Sequence, residues 1–396
     1  MKKKTLALLC TAMMAAAMCF GCGNTDVAAG GDTASQNQPE VIDFNDIENG
    51  TAGAGEDAAT PEADTFEVPE GMYESELTGE FIDEALEDQR PCAFMVDNES
   101  TALDHYGVNS ADIVYEMVNS TANNRITRLM CIVKDWQNLE QFGNIRSTRP
   151  TNIVLSGEYN AILVHDGGPA IYVDPYFTTR SYVNHLSGGF ARFTTGKADF
   201  YSEYVTSEGY TNPNTGNSYA GLLERIDKAG FSTTYNEYYR GRHFTFDHTS
   251  DGVNLEDYGT VTEVTHIDLS GNFPHNCSEL KYNEETKKYE YWEYGREHID
   301  PLDDNKVTSF ENVIIYEAPL YQYDTNGYMF YPYMESSGEG YFITEGKCVK
   351  ITWVNENEMS MTHFYAYGSE VDIPLNVGKT YIALCPEDTW DKLVLE

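Results

Sequence analysis

Short, almost unbroken apolar runs recur between residues 92 and 164, and each ends in polar or glycine-rich residues. The runs cover residues 92–96, 113–115, 129–133 and 161–164. Strands that are covered on both faces have this pattern, and the intervening stretches are long enough for crossover helices. An amphipathic helix is predicted over residues 219–231, closed by Gly230. The pattern predicts an α/β domain with a mixed or mainly parallel sheet over residues 73–250.

The pattern changes to alternating strand and turn sequences after a polar connection around residues 249–257. The segments rich in β-branched and aromatic residues are 261–269, 279–282, 289–294, 313–316, 341–343, 348–354 and 381–384. Short strands at this spacing are typical of a mostly antiparallel sheet or a small barrel. We therefore expect a smaller, β-rich C-terminal domain over residues 251–396.

The first 22 residues have the pattern of an export signal. Lys2, Lys3 and Lys4 form a basic start, and the apolar run over residues 5–18 is short for a membrane span. The sequence that ends at Cys22 resembles the bacterial lipobox, whose cysteine is lipidated and becomes the new N-terminus. We expect residues 1–22 to be a lipoprotein signal peptide and Cys22 to anchor the protein at the outer face of the cytoplasmic membrane. The alternatives are an ordinary secreted protein and an uncleaved anchor.

Acidic residues dominate the chain, whose formal net charge is −39. Residues 23–90 contain 19 acidic residues and one basic residue, with few large apolar groups up to residue 69. Such a segment cannot bury enough surface to offset its ordering entropy, which predicts an acidic, disordered tether over residues 23–72. The charge of the whole chain disfavours nucleic acid as a partner.

The chain carries no strong catalytic or metal-binding motif. The nucleophile elbow, the phosphate-binding loop, the dinucleotide fingerprint and the paired-histidine zinc motif are all absent from the sequence. The five cysteines after residue 90 are widely scattered and resemble buried small hydrophobic residues rather than a disulfide framework. No cofactor and no metal are therefore predicted, and no catalytic residue is assigned.

Polar residues at the ends of the first predicted strands form a candidate ligand site. In a parallel sheet, residues just past the strand ends share one rim, where open α/β sheets bind ligands. The candidate residues are Asp97, Asn98, Glu116, Arg128, Arg146, Arg149, His165 and Asp166. Arginine suits carboxylate or phosphate oxygens, so Arg146 and Arg149 could clamp an anionic group while Asp97 or His165 handles a proton or a metal. Alternatively, the arginines pair internally with Asp97, Glu116 or Asp166 and hold loops in place.

Several blocks of the chain resemble the YerB-like lipoproteins, a bacterial family built from a two-part domain of unknown function. The N-terminal blocks are residues 90–98, 111–116, 126–128, 144–150 and 164–168, and the C-terminal blocks are residues 294–300, 338–340, 346–347 and 352–353. The resemblance implies export and lipid attachment, and it implies no catalytic residues. His298 and Asp300 lie in one of these blocks, where they could take a cation or stabilise a turn.

These patterns favour a surface lipoprotein that binds or scaffolds a cell-wall component or an envelope protein. The alternative is a cell-wall enzyme that uses the Arg/Asp/His rim on an anionic polymer or on peptidoglycan. Convergence of the rim side chains in one open pocket would favour an enzyme or a ligand-binding protein, whereas complete internal pairing would favour a scaffold. A solute receptor is a third possibility, which the unlike halves of the chain disfavour.

Overall fold

The structure is a computed structural model that describes residues 67–396 of the chain. The predicted signal peptide, Cys22 and the tether up to residue 66 lie outside the described residues. Within the described range most of the regular structure is β-strand, and the helices are few and short. The predicted α/β class therefore overestimates the helical content.

Seventeen of the described strands form two main sheets, one of eleven strands and one of six. In the first half of the chain these are β1 Cys92–Asp97, β2 Ile113–Val118, β3 Thr127–Val133, β4 Ile162–His165 and β5 Asn184–Ser187. In the second half they are β6 Thr262–Glu263, β7 His266–Asp268, β8 Glu279–Asn283, β9 Lys288–Glu293, β10 Arg296–Glu297, β11 Ser309–Phe310, β12 Asn312–Ala318, β13 Ser336–Thr344, β14 Lys347–Asn355, β15 His363–Ala366, β16 Thr380–Pro386 and β17 Val394–Leu395.

Other strands form small ladders outside the two main sheets. They are Met72–Glu74, Phe81–Asp83, Phe142–Gly143, Ala191–Arg192, Glu203–Val205, Tyr210–Thr211, Ser218–Tyr219, Phe246–Asp247, Ile299–Asp300, Lys306–Val307, Tyr321–Gln322, Met329–Phe330 and Leu375–Asn376.

The described helices are α1 Ala122–Arg125, α2 Pro150–Glu158, α3 Ala170–Thr179 and α4 Leu222–Ala229. Helix α1 is a single irregular turn, because Asn123 and Asn124 have left-handed φ values of 48° and 58°. Helix α4 lies within the predicted range 219–231, and Gly230 ends it with a φ of 71°. This conformation is why glycine is favoured just past a helix end.

The eleven-stranded sheet has the strand order β6-β14-β13-β12-β16-β2-β3-β1-β4-β5, and β15 pairs with β14 beside this path. The pairs β12–β16, β16–β2, β1–β4 and β4–β5 are parallel. The other pairs are antiparallel. The sheet is therefore mixed, which is one of the two predicted arrangements.

The connections between the parallel strands explain the low helical content. A parallel pair requires a crossover when its strands follow one another along the chain. Strands β2 and β16 are neighbours in the sheet but lie far apart in the sequence, so no helix connects them directly. Strands β4 and β5 follow one another, and α3 connects them.

Strand β16 brings the second half of the chain into the middle of this sheet. It pairs with β2 so that Ala383 lies opposite Glu116. The six-stranded sheet has the order β10-β9-β8-β7-β17, with β11 also paired to β9, and all its pairs are antiparallel. Because residues 73–250 and residues 251–396 both contribute to the larger sheet, their division into two domains stays a prediction.

The core strands are buried along their whole length, as the apolar runs predict. Every residue of β1, β2, β3 and β4 is buried. Four of the described cysteines, Cys92, Cys131, Cys348 and Cys385, are also buried and free, whereas Cys277 is free and exposed. Among residues 67–396, no helix has both the length and the apolar character that a bilayer span requires.

Candidate functional site

Two arginines reach the carboxylate of Asp97, the last residue of β1. The antiparallel pairing of β1 with β3 places Arg128 directly opposite Asp97, and Arg128 Nη1 donates to Asp97 Oδ1. The chain then runs beside β1 at residue 146, where Arg146 Nε donates to Asp97 Oδ2 at 2.8 Å. Asp97 and Arg128 are buried, whereas the side chain of Arg146 is 25% exposed. Arg146 is therefore the most accessible of the three.

Arg149, immediately before α2, contributes a third guanidinium group. Its Nε donates to the carbonyl of Asn119 at 3.2 Å, and its Nη1 donates to the carbonyl of Thr148 at 2.8 Å. Its guanidinium carbon lies 5.0 Å from the ring centre of Tyr328. All of these partners are neutral, and none of the ion pairs within residues 67–396 includes Arg149. Burial, followed by the charge of Arg128, lowers the pKa of Arg149 to about 9.

We define Arg128, Arg146 and Arg149 as the arginine cluster. Asp97 is the one carboxylate paired with it in the described part of the chain, so the cluster has an excess of positive charge. Arg128 Nε is buried and has no hydrogen-bond partner among the described residues. An unsatisfied buried donor costs about 1–3 kcal/mol, which a bound acceptor would recover. Carboxylate and phosphate groups are the acceptors that guanidinium groups bind best.

Asn98 and Glu116 lie in a buried polar network between the two sheets. Asn98 Nδ2 lies 3.3 Å from Glu116 Oε1. The other donors to the Glu116 carboxylate are hydroxyl groups, those of Thr127, Ser278, Tyr291 and Tyr381. Burial raises the pKa of Glu116, and these hydrogen bonds oppose the rise. Within residues 67–396 no arginine pairs with Glu116, because its carboxylate faces hydroxyl groups from both halves of the chain.

His165 ends β4 and is held by neutral partners. Its Nε2 lies 3.0 Å from Nδ1 of His185, its Nδ1 lies 2.8 Å from the carbonyl of Gly167, and its ring stacks on Phe177. The residue is 2% exposed, and burial lowers its pKa to about 4. His165 is therefore neutral near pH 7, and its ring nitrogens are already occupied.

Asp166 belongs to a second charged group beside the arginine cluster. Its carboxylate lies 3.9 Å from Arg192 Nη2, which also pairs with Glu203 Oε2 at 2.8 Å. Burial, followed by the neighbouring Asp166 carboxyl group, raises the pKa of Glu203 to about 7. Backbone bonds keep the two groups adjacent, since Asp166 N donates to the carbonyl of Arg146 at 3.0 Å. The partner of Asp166 is thus Arg192, and the side chain of Arg146 turns to Asp97.

The structure also brings together residues that no sequence motif identifies. Asn119 and Tyr328 contact Arg149 from distant parts of the chain. His105, Glu293 and His298 place one possible metal-ligand atom each within 4.8 Å of one another. His298 carried a weak signal in the sequence, but 193 residues separate it from His105, so no spacing rule joins them. Asp300 accepts backbone N–H groups of Gly107 and Asn109, which is a turn-stabilising role.

Two family profiles match successive parts of this chain. The profile described as "Protein of unknown function (DUF3048) N-terminal domain" matches residues 77–232. The profile described as "Protein of unknown function (DUF3048) C-terminal domain" matches residues 268–382. Together they account for most of the described residues.

A curated protein and a solved structure are similar to most of the chain. The Bacillus subtilis (strain 168) protein named "Putative lipoprotein YerB" is 25% identical over 320 residues, which cover 80% of this chain and 85% of that protein. The crystal structure of the YerB protein from Bacillus subtilis matches with a TM-score of 0.62 and 21% sequence identity, covering 82% of this chain and 99% of that chain. At this identity, the structural likeness establishes the fold alone.

Proposed function

The chain belongs to the YerB-like two-part family, and from this premise we propose that it is a membrane-anchored extracytoplasmic lipoprotein with a binding role. Its ligand would be a cell-wall component or an envelope protein that presents carboxylate or phosphate groups, and the arginine cluster would bind them. The observation that carries the proposal is the excess of guanidinium groups over carboxylates at this one place in a strongly acidic chain.

The anchor is proposed from the sequence and from the name of the relative. Cys22 follows a basic start and an apolar run, and the similar Bacillus subtilis protein is named as a lipoprotein. Lipid attached to Cys22 would hold the body at the outer face of the cytoplasmic membrane, and the acidic segment after it would repel the anionic surface. At this location the arginine cluster could contact wall polymers.

The contacts of Arg149 support a ligand site. A network of internal salt bridges would pair each arginine of the cluster with a carboxylate. Arg128 and Arg146 share Asp97, but Arg149 contacts neutral groups alone among the described residues. An anionic ligand would supply the missing negative charge.

The side chains that an enzyme would use for proton transfer are already engaged. The carboxylate of Asp97 accepts from two arginines, and the ring of His165 is buried, with Nε2 3.0 Å from His185 Nδ1 and Nδ1 2.8 Å from the carbonyl of Gly167. A general acid or base needs a free position within hydrogen-bond reach of the substrate. These contacts favour a binding module over the cell-wall enzyme that the sequence left open.

Sedimentation with isolated bacterial cell walls tests the proposal. The full-length chain, purified in detergent, would be incubated with walls and with walls stripped of phosphate-containing polymers, and the bound fraction measured. We expect Arg146→Ala to weaken binding at least about tenfold, because a hydrogen bond to a charged group contributes about 1.5–3 kcal/mol. Its thermal melt should stay cooperative, since the side chain is partly exposed.

Arg242→Ala is the matched control, because it removes the same charge at a side chain that is 42% exposed and pairs with Glu74. This control should bind walls as the unmodified chain does. Equal binding by both variants would contradict the arginine cluster as the binding site. Loss of the cooperative melt in Arg146→Ala would show that this arginine is structural.

A further inference from the structure

Three possible ligand atoms converge in the buried layer next to Asp97. His105 Nδ1 lies 2.8 Å from His298 Nε2, and His298 Nε2 lies 3.7 Å from Glu293 Oε1. His105 and Glu293 are fully buried, and His298 is 2% exposed. Water is therefore largely excluded from the space between these atoms. Which of the three atoms carries a proton then determines whether a cation can lie between them.

The hydrogen-bond partner of His105 Nε2 shows which ring nitrogen of His105 carries the proton. His105 Nε2 contacts the backbone carbonyl of Asp97. A carbonyl oxygen can only accept a hydrogen bond, so Nε2 must carry the proton. In the neutral ring, Nδ1 then presents a lone pair, and this lone pair faces His298.

The proton of His298 is assigned in the same way through two further residues. Asn109 Nδ2 donates to Asp303 Oδ2 at 3.1 Å, which leaves Asn109 Oδ1 as the acceptor for the Thr308 hydroxyl at 2.6 Å. The Thr308 hydroxyl has one proton, so its oxygen must accept from His298 Nδ1 at 2.9 Å. In the neutral ring, His298 Nε2 therefore also presents a lone pair, and this lone pair faces His105.

Two lone pairs thus oppose each other at hydrogen-bond distance, and a third acceptor lies beside them. Glu293 Oε1 is buried and has no hydrogen-bond donor within residues 67–396. The other carboxylate oxygen of Glu293 is 3.4 Å from Asn276 Nδ2, which keeps the carboxylate in place. Three electron-rich atoms without a proton between them repel one another unless a cation is bound.

We infer that His105 Nδ1, His298 Nε2 and Glu293 Oε1 form a zinc site. Two imidazole nitrogens and one carboxylate are a ligand set that Zn²⁺ uses, and three protein ligands leave a fourth position. Each histidine donates its other N–H to a carbonyl or hydroxyl oxygen, the outer arrangement that orients metal-bound histidines. This site departs from the expectation of no metal, and it is independent of the proposed anion binding.

A bound ion would connect the two halves of the chain close to the arginine cluster. His105 follows β1, whereas Glu293 ends β9 and His298 follows β10. The same Asp97 that pairs with Arg128 and Arg146 orients His105 through its carbonyl. Because the ligands are buried, we assign the zinc a structural role, in which it stabilises the contact between the two sheets.

The metal content and zinc affinity of the full-length chain test this inference. The protein would be purified in detergent without added metal, treated with a chelator, and titrated with Zn²⁺ against a chromophoric competitor. We expect one zinc ion per chain, and a rise in Tm of about 5 °C when zinc exceeds its Kd about a hundredfold. Substitution with Co²⁺ should give the visible absorption of a four-coordinate ion.

Glu293→Gln removes the charged ligand with little change in shape and should weaken zinc binding at least about tenfold. His243→Gln is the control, because His243 is equally buried but contacts the carbonyl of Thr362 outside the site. It should bind zinc as the unmodified chain does. Failure of the unmodified chain to bind zinc in the titration, or identical affinity in Glu293→Gln, would overturn the inference. A proton shared by the two histidines would then be the occupant.

Discussion

The backbone carbonyl of Asp97 accepts a hydrogen bond from the ring of His105, while the carboxylate of Asp97 accepts one from Arg146 at 2.8 Å. One residue at the end of β1 therefore contacts both the arginine cluster and the buried histidines. A change at Asp97 should consequently affect stability and ligand binding together.

Asp97→Asn should lower the free energy of unfolding by about 3–5 kcal/mol, because it removes the charge that compensates the buried Arg128. The measurement is urea denaturation followed by tryptophan fluorescence. Asp388→Asn is the control, since its pair with Arg125 is partly exposed, at 54% and 24% for the two side chains, and such pairs contribute about 1 kcal/mol or less. Similar losses in the two variants would show that the pair at Asp97 is no more important than a surface pair.

Glu158 should make the protein less stable as the pH rises from about 5 to about 8. Burial raises the pKa of Glu158 from 4.5 to about 7 in the folded chain, so the folded state binds a proton that the unfolded state releases between these values. Stability then falls with increasing pH across that window. Because each pKa unit corresponds to about 1.4 kcal/mol, the loss is on the order of 3 kcal/mol.

Urea denaturation at both pH values, with Glu158→Gln for comparison, measures this effect. The glutamine variant cannot ionise, so we expect its stability to vary less between pH 5 and pH 8 than that of the unmodified chain. Its amide oxygen can still accept from Tyr333, whereas its amide nitrogen replaces the oxygen that accepts from the backbone of Thr362. An unchanged pH dependence in the variant would refute the assignment to Glu158.

Gly340→Ala should destabilise the larger sheet by about 1–3 kcal/mol through overpacking. A β-carbon at Gly340 would lie 2.7 Å from the carbonyl oxygen of Ile315 and 2.9 Å from Cβ of Tyr316 on the neighbouring strand. Gly259→Ala is the control, because a β-carbon there has no neighbour within 4 Å. Thermal melting of both variants measures the difference, and equal Tm values would contradict the close approach of β12 and β13.

Cys22→Ser should release the protein from the membrane fraction, because the lipid attachment depends on the thiol. Fractionation of cells, combined with mass spectrometry of the N-terminal peptide, measures this. The unmodified chain should begin at a lipidated Cys22, and Cys277→Ser, which changes an exposed free cysteine, should not alter fractionation. An unlipidated or uncleaved N-terminus in the unmodified chain would refute the anchor.

The amino-acid sequence alone determined which segments form the core strands. The apolar runs at residues 92–96, 129–133 and 161–164 correspond to β1, β3 and β4, and the segments at 313–316 and 381–384 correspond to β12 and β16. Local patterning suffices here because burial on both faces requires continuous apolar residues. It also predicted a rim of polar residues just past the ends of these strands, with Asp97 and His165 among them, and this rim stays a prediction as a ligand site.

Long-range strand pairing set which of these side chains meet. The insertion of β16 beside β2 set the order of the larger sheet and brought Tyr381 to Glu116, and the second half of the chain also supplied Ser278 and Tyr291 in place of an arginine. His105 and His298 likewise meet across 193 residues. The local sequence pattern specifies the secondary structure around a side chain. Its partners depend on long-range strand pairing, which no spacing along the sequence reveals.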